Sequence, residues 1–397
     1  MPPAPDVAGS VTRPLDGVRV LDLTRLLPGA YGTSLLVGLG ADVLKVEDPR
    51  GGDGLRVTPP YTASGESGVF VVLCRGKRSI ALDLKNPEGR AVLLDLVAVS
   101  DVLVDSFRPG VLDRLALGAD ALAAANPDLV HVSMTAYGDG ARAALPGHDL
   151  NAEGYAGILG LSRGADGAAA MPAVPFADMA TGLQAALAVV SGLRVTQSRS
   201  GEGFRVDVAM LDSALSLTGM SQGAVLATGQ APPTPDVLTG GLASYGIYRC
   251  ADGLEIACGA LEPQFFSRVA TLLGDPSLAG AQYDVAGQDA LRGRLATVFA
   301  SRPRQDWLDE LEHDQTCVTP VRTAAEALAD RDLRDRGVVV DVELADGTVL
   351  PAARPVAWLP TGPTDRPRAP ALGQHGDDVL RALGRDPDTV RASGALG

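Results

Sequence analysis

The stretch GVRVLDLTRLLPGAYGTSLLVGLGADVLKVED, residues 17–48, constrains the fold more than any other. A short β-branched and leucine run at 18–23 leads into an apolar helix broken up by glycines. A second strand candidate follows at 41–48. Strand, turn, helix and strand in that order predict the opening of a parallel, doubly wound sheet. The pattern then repeats. SIALDL (79–84) predicts a strand, and NPEGRAVLLDLVAVS a helix with Pro and Glu in its first turn. DVLVDSF (101–107), VLDRLAL and LVHVSMTAYG (129–138) continue as strand, helix and strand. The first 140 residues are therefore expected to be α/β.

Beyond them the texture changes. DMATGLQAALAVVSGL (178–193) predicts an apolar helix with Asp178 at its start, as the N-cap. FRVDVAMLDSALSL (204–217) predicts a strand running into a helix. The Pro- and Gly-rich ATGQAPPTPDVLTGGLASYG (227–246) suits a linker. IYRCADGLEIACGA then predicts two strands around an Asp-Gly turn, followed by helices at 263–273 and 304–313. VVVDVEL and TVLPAARPVAWL read as strands, and GDDVLRALG as a short helix. A chain of 397 residues exceeds what one core usually holds, so two domains are expected. The large α/β domain would span 1–220 and be completed by 335–397. A linker at 221–245, a small α+β domain at 246–322 and a return segment from 323 complete the scheme.

Charge and cysteine usage narrow the function classes. A formal charge of −14, from 34 basic and 48 acidic residues, argues against a nucleic-acid partner. Cys74, Cys250, Cys258 and Cys317 lack metal-type spacing, so no metal is expected. Buried free thiols in a reducing compartment are expected instead. MPPAPDVAGSVTRP has no apolar signal core, and no stretch reads as long and apolar enough to span a bilayer. A cytoplasmic protein without a membrane partner is expected.

Several residues carry chemistry. The glycines of LLPGAYGTSLLVGLG lack the G-x-G-x-x-G spacing, so they serve either close packing or ligand contact. Arg75, Lys77, Arg78 and Lys85 gather in CRGKRSIALDLK, and Arg108 and Arg114 follow in FRPGVLDR. Cations at the carboxyl ends of parallel strands suit a phosphorylated ligand; a solvated, salt-bridged face is the alternative. His148, in GHDLN after the strand 129–138, is placed for proton transfer near neutral pH, although a lone loop histidine is more often a capped or surface residue. His131 lies inside a strand run and His313 in a charged helix, which suits structural or solvated roles. Asp178 could serve as a helix cap or a catalytic carboxylate. Glu262, directly before a proline in an apolar context, needs a partner or a raised pKa.

Seven ordered motifs together resemble one family. They are PLDGVRVLDLTRLLPGAYGTSLLVGLGADVLKVE, RSIALDLK, FRPGVLDRLALG, GHDLN, PFADMATG, YGIYRCADG and ALEPQFF, between residue 14 and about 325. The chain resembles the class III coenzyme A transferase superfamily, most of all its α-methylacyl-CoA racemase branch. That resemblance implies a Rossmann-like large domain built from both chain ends, a smaller α+β domain, and an interlocked homodimer. The active site would lie between the large domain of one subunit and the small domain of the other. It implies His148 and Asp178 as opposing bases, Glu262 orienting the histidine, and Asp149, Gly147 and Asn151 around the thioester. Leu82, Asp83, Leu84, Lys85, Phe107, Arg108 and Arg114, with Arg75, match its coenzyme A contacts. One departure stands out: Asp48 occupies a position where some racemases carry an arginine, for which Arg50 or Arg56 could substitute. No prosthetic group is implied; coenzyme A enters as part of the acyl thioester. The implied activity is inversion of a 2-methylacyl-CoA. Coenzyme A transfer with Asp178 as nucleophile is the main alternative, and an inactive acyl-CoA-binding scaffold the second.

Overall fold

The computed structural model describes residues 13–164, 166–199, 201–359 and 367–397. The amino-terminal stretch expected to lack a signal core lies outside these residues up to position 12. The chain forms two compact units, one from residues up to 158 with 172–218 and 328–397, the other from 159–171 and 219–327.

The first unit is built on six strands: β1 (Arg19–Leu23), β2 (Asp42–Glu47), β3 (Arg78–Ala81), β4 (Val102–Asp105), β5 (Val130–Thr135) and β6 (Phe204–Ala209). All pair in parallel, in the order β3-β2-β1-β4-β5-β6. The expected doubly wound sheet is therefore present. The order reverses between β1 and β4, and the crevice beyond their carboxyl ends is where such sheets take ligands. Helices α1 (Leu26–Gly38), α2 (Gly68–Cys74), α3 (Pro87–Ala98), α4 (Val111–Arg114) and α5 (Ala119–Ala125) connect these strands as far as β5. Between β5 and β6 come α6 (Asp149–Ala156), α7 (Ile158–Leu161) and α8 (Phe176–Ser198), and α9 (Met210–Ser216) follows β6. The central strands are covered on both faces, so apolar residues on either side of them are buried; Val102, Leu103, Val130 and Val132 are all fully buried.

The glycines of α1 turn out to serve packing. A Cβ on Gly32 would fall 2.9 Å from the carbonyl oxygen of Gly182, and one on Gly182 would fall 2.8 Å from that of Pro28. Side-chain-free faces thus let α1 and α8 approach backbone to backbone, which seats the start of α8 beside the turn after β1.

A buried polar network holds that turn. Asp22, at the end of β1, accepts from the Thr24 amide (2.9 Å), the Thr33 hydroxyl (2.8 Å) and Lys77 Nζ (3.2 Å). Lys45 Nζ donates to the Thr24 carbonyl (2.8 Å) and pairs with Asp53 at 2.8 Å. Burial alone would raise the Asp22 pKa; Lys45, Lys77 and two hydroxyls outweigh it and hold the carboxyl at about 2. Asp53 also accepts from the amide of Leu26, a non-glycine residue at φ 64. Such a backbone persists only where the surroundings over-determine it.

The chain's last segment closes the sheet edge. A hairpin at Val339–Glu343 and Val349–Ala353 precedes short helices at Gly376–Ala382 and Pro387–Ala392. The Asp83 amide then donates to Ala395 and the Gly397 amide to Ala81, at 2.9 and 3.2 Å.

The second unit contains α10 (Gly219–Thr228) and an antiparallel sheet of β7 (Tyr245–Arg249), β8 (Glu255–Gly259) and β9 (Val318–Pro320). Helices α11 (Pro263–Leu272), α12 (Gln288–Phe299) and α13 (Arg304–Leu311) enclose its core, where Phe299 packs tilted against Tyr248 and edge-on to Trp307.

Two sequence expectations need correction. Helix α8, 23 residues long, contains an 18-residue stretch with a mean hydropathy of 1.3, long and apolar enough by length and composition to cross a membrane, contrary to expectation. Half of that apolar stretch is buried, with Ala185 and Val189 in the core against the sheet. Cys317 is exposed rather than buried; the other three thiols are free and buried as expected.

Candidate active site

Two cavities open along the carboxyl edge of the large sheet. The first, of about 270 Å³, is lined by Leu82, Asp83, Leu84 and Lys85 after β3, by Asp48 and Arg50 after β2, and by Phe107 after β4. The second, of about 410 Å³, is lined by Phe107, Arg108, Gly147, His148 and Asp178. Arg25 and Phe107 line both, so the two share a wall at the strand-order reversal.

The second cavity brings the two expected bases together. Loop 136–147 leaves β5 and is held by Tyr137, whose ring meets Tyr155 of α6 edge-on at 5.7 Å. A side chain on Gly147 would collide with the Tyr137 hydroxyl, so glycine lets the loop turn into His148. His148 is the residue at which α6 begins, and its amide donates to Asn151 Oδ1 at 3.1 Å. Its side chain is exposed.

Asp178 is not the N-cap expected from the sequence. Helix α8 starts at Phe176, after Pro175, so Asp178 lies inside the first turn. The capping is done from α6. Asp149 Oδ1 accepts from the Asp178 amide (3.0 Å), and Glu153 Oε1 accepts from the Phe176 amide (3.1 Å). The two acceptors are one helical turn apart and face the same way. Glu153 is buried, and its Oε2 has no hydrogen-bond partner. Three carboxyl groups therefore share one corner. Burial, then Asp149, then Glu153 push the Asp178 carboxyl up to about 7. Burial and Asp149 also raise Glu153. A carboxyl poised near neutrality can both give and take a proton.

The basic island is only partly what the sequence suggested. Lys85 follows β3 and lines the first cavity. Arg75, Lys77 and Arg78 precede β3 or open it, so they start from the opposite edge of the sheet. Arg75 is buried, donating to the carbonyls of Val72 (2.7 Å) and Ala353 (2.5 Å), and lines a separate cavity with Arg354. Lys77 is taken up by Asp22, and Arg78 by Asp42 at 2.6 Å. Arg114 is exposed on α4, while its neighbours Val111 and Leu115 line the first cavity. Of the two arginines considered beside Asp48, Arg56 pairs with Glu47 at 2.7 Å and stacks on Phe70 at 4.0 Å. Arg50 lines the cavity with Asp48, paired at 2.8 Å.

Glu262 lies in the second unit, exposed, immediately before Pro263 at the start of α11. Its position at a helix start keeps the carboxylate in solvent rather than in the apolar setting the sequence suggested. Among the described residues no group of three or more His, Cys, Asp or Glu is arranged to hold a metal ion.

Sequence reasoning missed Arg25 and Glu153. Arg25 follows β1 at the same carboxyl edge that singled out Lys85 and Arg108, so the same rule would have found it. Its amide donates to the Ser106 hydroxyl at 2.9 Å, and its guanidinium lies 5.8 Å from the Phe107 ring centre. Glu153 was signalled by its spacing, four residues after Asp149 on a helix.

A model of CoA-transferase family III matches residues 15–376. The chain belongs to that family. This family III chain is 32% identical to a succinate–glutarate CoA-transferase of Agrobacterium fabrum, over 93% of this chain and 96% of that one. It is 33% identical to the α-methylacyl-CoA racemase of Mus musculus, over 95% of both. Among solved structures, a CAIB/BAIF family protein from Brucella suis superposes with a TM-score of 0.82 at 31% identity. That match covers 93% of the family III chain and 99% of the other.

Proposed function

We propose that the protein is an acyl-CoA racemase that inverts the α-methyl stereocentre of a 2-methylacyl-CoA. The observation carrying this reading is that His148 and Asp178, distant in sequence, line one cavity. The α-hydrogen of a thioester is a weak acid, so its removal needs a placed base and a stabilised enolate. Coenzyme A would lie along the first cavity, past Lys85 and Phe107, with its acyl end in the second. One of the two groups removes the α-proton and the other returns one to the opposite face. Asp178, held near 7, suits either part. The first-turn amides of α6, around Asp149, would bind the enolate oxygen. No prosthetic group enters this scheme.

A homodimer belongs to the same reading, with Glu262 of one subunit orienting His148 of the other. Apolar side chains left exposed on α8, Leu183 at 51% and Leu187 at 66%, support a covered surface. Three free buried thiols suit a cytoplasmic setting, and a branched acyl substrate would suit a role in lipid metabolism.

Coenzyme A transfer between carboxylic acids is the second reading, favoured by the transferase names among the relatives. There Asp178 would attack the thioester as a carboxylate, and a carboxyl held near 7 is partly protonated at neutral pH. Incubating a 2-methylacyl-CoA in heavy water separates the two. Deuterium entering the α-carbon without an acceptor acid is the expected result, lost by about a hundredfold or more in His148→Ala and Asp178→Asn. Strict dependence on a second acid would replace racemisation by transfer. Binding with neither reaction would leave an inactive scaffold.

A further inference from the structure

Beside the second cavity lies a third, of about 230 Å³, that shares Phe107, Arg108, Pro109 and Thr135 with it. Its floor holds a buried pair that the proton-transfer scheme does not use. Asp105 ends β4, and His131 lies on neighbouring β5; they are 1% and 5% exposed. His131 Nε2 lies 2.7 Å from Asp105 Oδ2. The other carboxylate oxygen accepts the Phe107 amide at 2.9 Å and the Ser133 hydroxyl at 3.4 Å.

Such a pair is weak evidence for stability, since apolar residues of similar volume often serve as well. Its neighbours Val104 and Val132 are apolar and buried, as a sheet interior ordinarily is. What the polar pair adds is direction. Asp105 captures the amide two residues ahead, forming a turn that aims the next side chains. Those side chains are Phe107, in the walls of all three cavities, and Arg108, in two of them.

We propose that Asp105 and His131 are positioning residues: their buried hydrogen bond fixes the turn at 106–109, and through it the Phe107 and Arg108 side chains that grip the coenzyme A end of the substrate. This rests on the coenzyme A reading of the site. His131 orients the Asp105 carboxylate, and the carboxylate holds the Phe107 amide. The pair touches neither reacting carbon nor proton, so it acts on affinity rather than on the chemical step.

The test is calorimetric titration of the whole protein with coenzyme A itself, beside steady-state exchange kinetics. His131→Leu removes the partner of Asp105 and should weaken coenzyme A binding about tenfold, raising KM while kcat changes by less than about threefold. His131→Gln, whose amide can still donate to Asp105, should recover most of that affinity. If His131 acts through the turn, Phe107→Leu combined with His131→Asn, whose shorter amide cannot reach Asp105 from the Nε2 position, should weaken binding by less than the product of the single effects. That cycle decides alone should His131→Leu fail to fold. A folded His131→Leu that binds coenzyme A as the wild type does, or strictly multiplicative effects in the cycle, would overturn the proposal. Failure of the wild type to bind coenzyme A would sink both this and the functional reading. Wild-type binding with unaffected His131 variants sinks this one alone.

Discussion

Asp178 and Glu153 show how neighbours, rather than its own chemistry, set the proton affinity of a carboxyl group. Asp178 goes from an ordinary 3.8 to about 7 through burial and two nearby carboxylates. The folded state therefore holds this proton more tightly than the unfolded one. Stability is lost as pH rises from about 4 through 7, as the group is forced to ionise in place. Asp178→Asn should accordingly melt higher than the wild type at about pH 8 and show no such gain at about pH 4, although it is inactive. Thermal scans at the two pH values check this. Glu153→Gln removes one of the two carboxylates and should move the Asp178 limb of the pH–rate profile to lower pH. An unmoved limb would mean that burial and Asp149 act alone.

At the scale of elements, the α1–α8 contact decides where Asp178 stands. A side chain on Gly182 would fall 2.8 Å from the Pro28 carbonyl and 3.0 Å from the Gly32 amide; both are backbone and cannot swing away. Gly182→Val should therefore cost about 1–3 kcal/mol and depress activity further by displacing the start of α8. Gly140→Ala, with nothing within 4 Å, is the neutral control, and urea midpoints measure both. The sheet was legible in the sequence because its strands are short runs rich in valine, leucine and isoleucine, set between helices. Lys85 and Arg108 were legible because they follow strands, whereas Phe107 came only through the family resemblance. Arg75, Lys77 and Arg78 misled because linear clustering hides the edge from which each side chain starts. The N-cap expected at Asp178 failed because its acceptors come from α6, a partner that local sequence does not reveal. Nothing in the spelling of TRLLPG announces a non-glycine residue at φ 64 after Arg25.

At the scale of the molecule, the proposed dimer makes a sharp prediction about which chain supplies what. Chains carrying His148→Ala and Glu262→Ala, co-expressed with different tags, should form mixed dimers in which one site combines both native residues. Such dimers should recover about half of wild-type turnover, whereas either variant alone stays depressed. No recovery in isolated mixed dimers would assign both residues to a single chain. The division into two units has its own signature, since the first unit draws on three separate stretches of chain.

The backbone pairing of Ala395 and Gly397 with Asp83 and Ala81 carries a consequence for biosynthesis. Leu82 to Lys85 line the first cavity, so one of its walls is latched by residues translated long after it. A nascent chain short of residue 395 has the sheet's strands in hand but not that latch. Ligand capture then follows translation of the whole span instead of accompanying it.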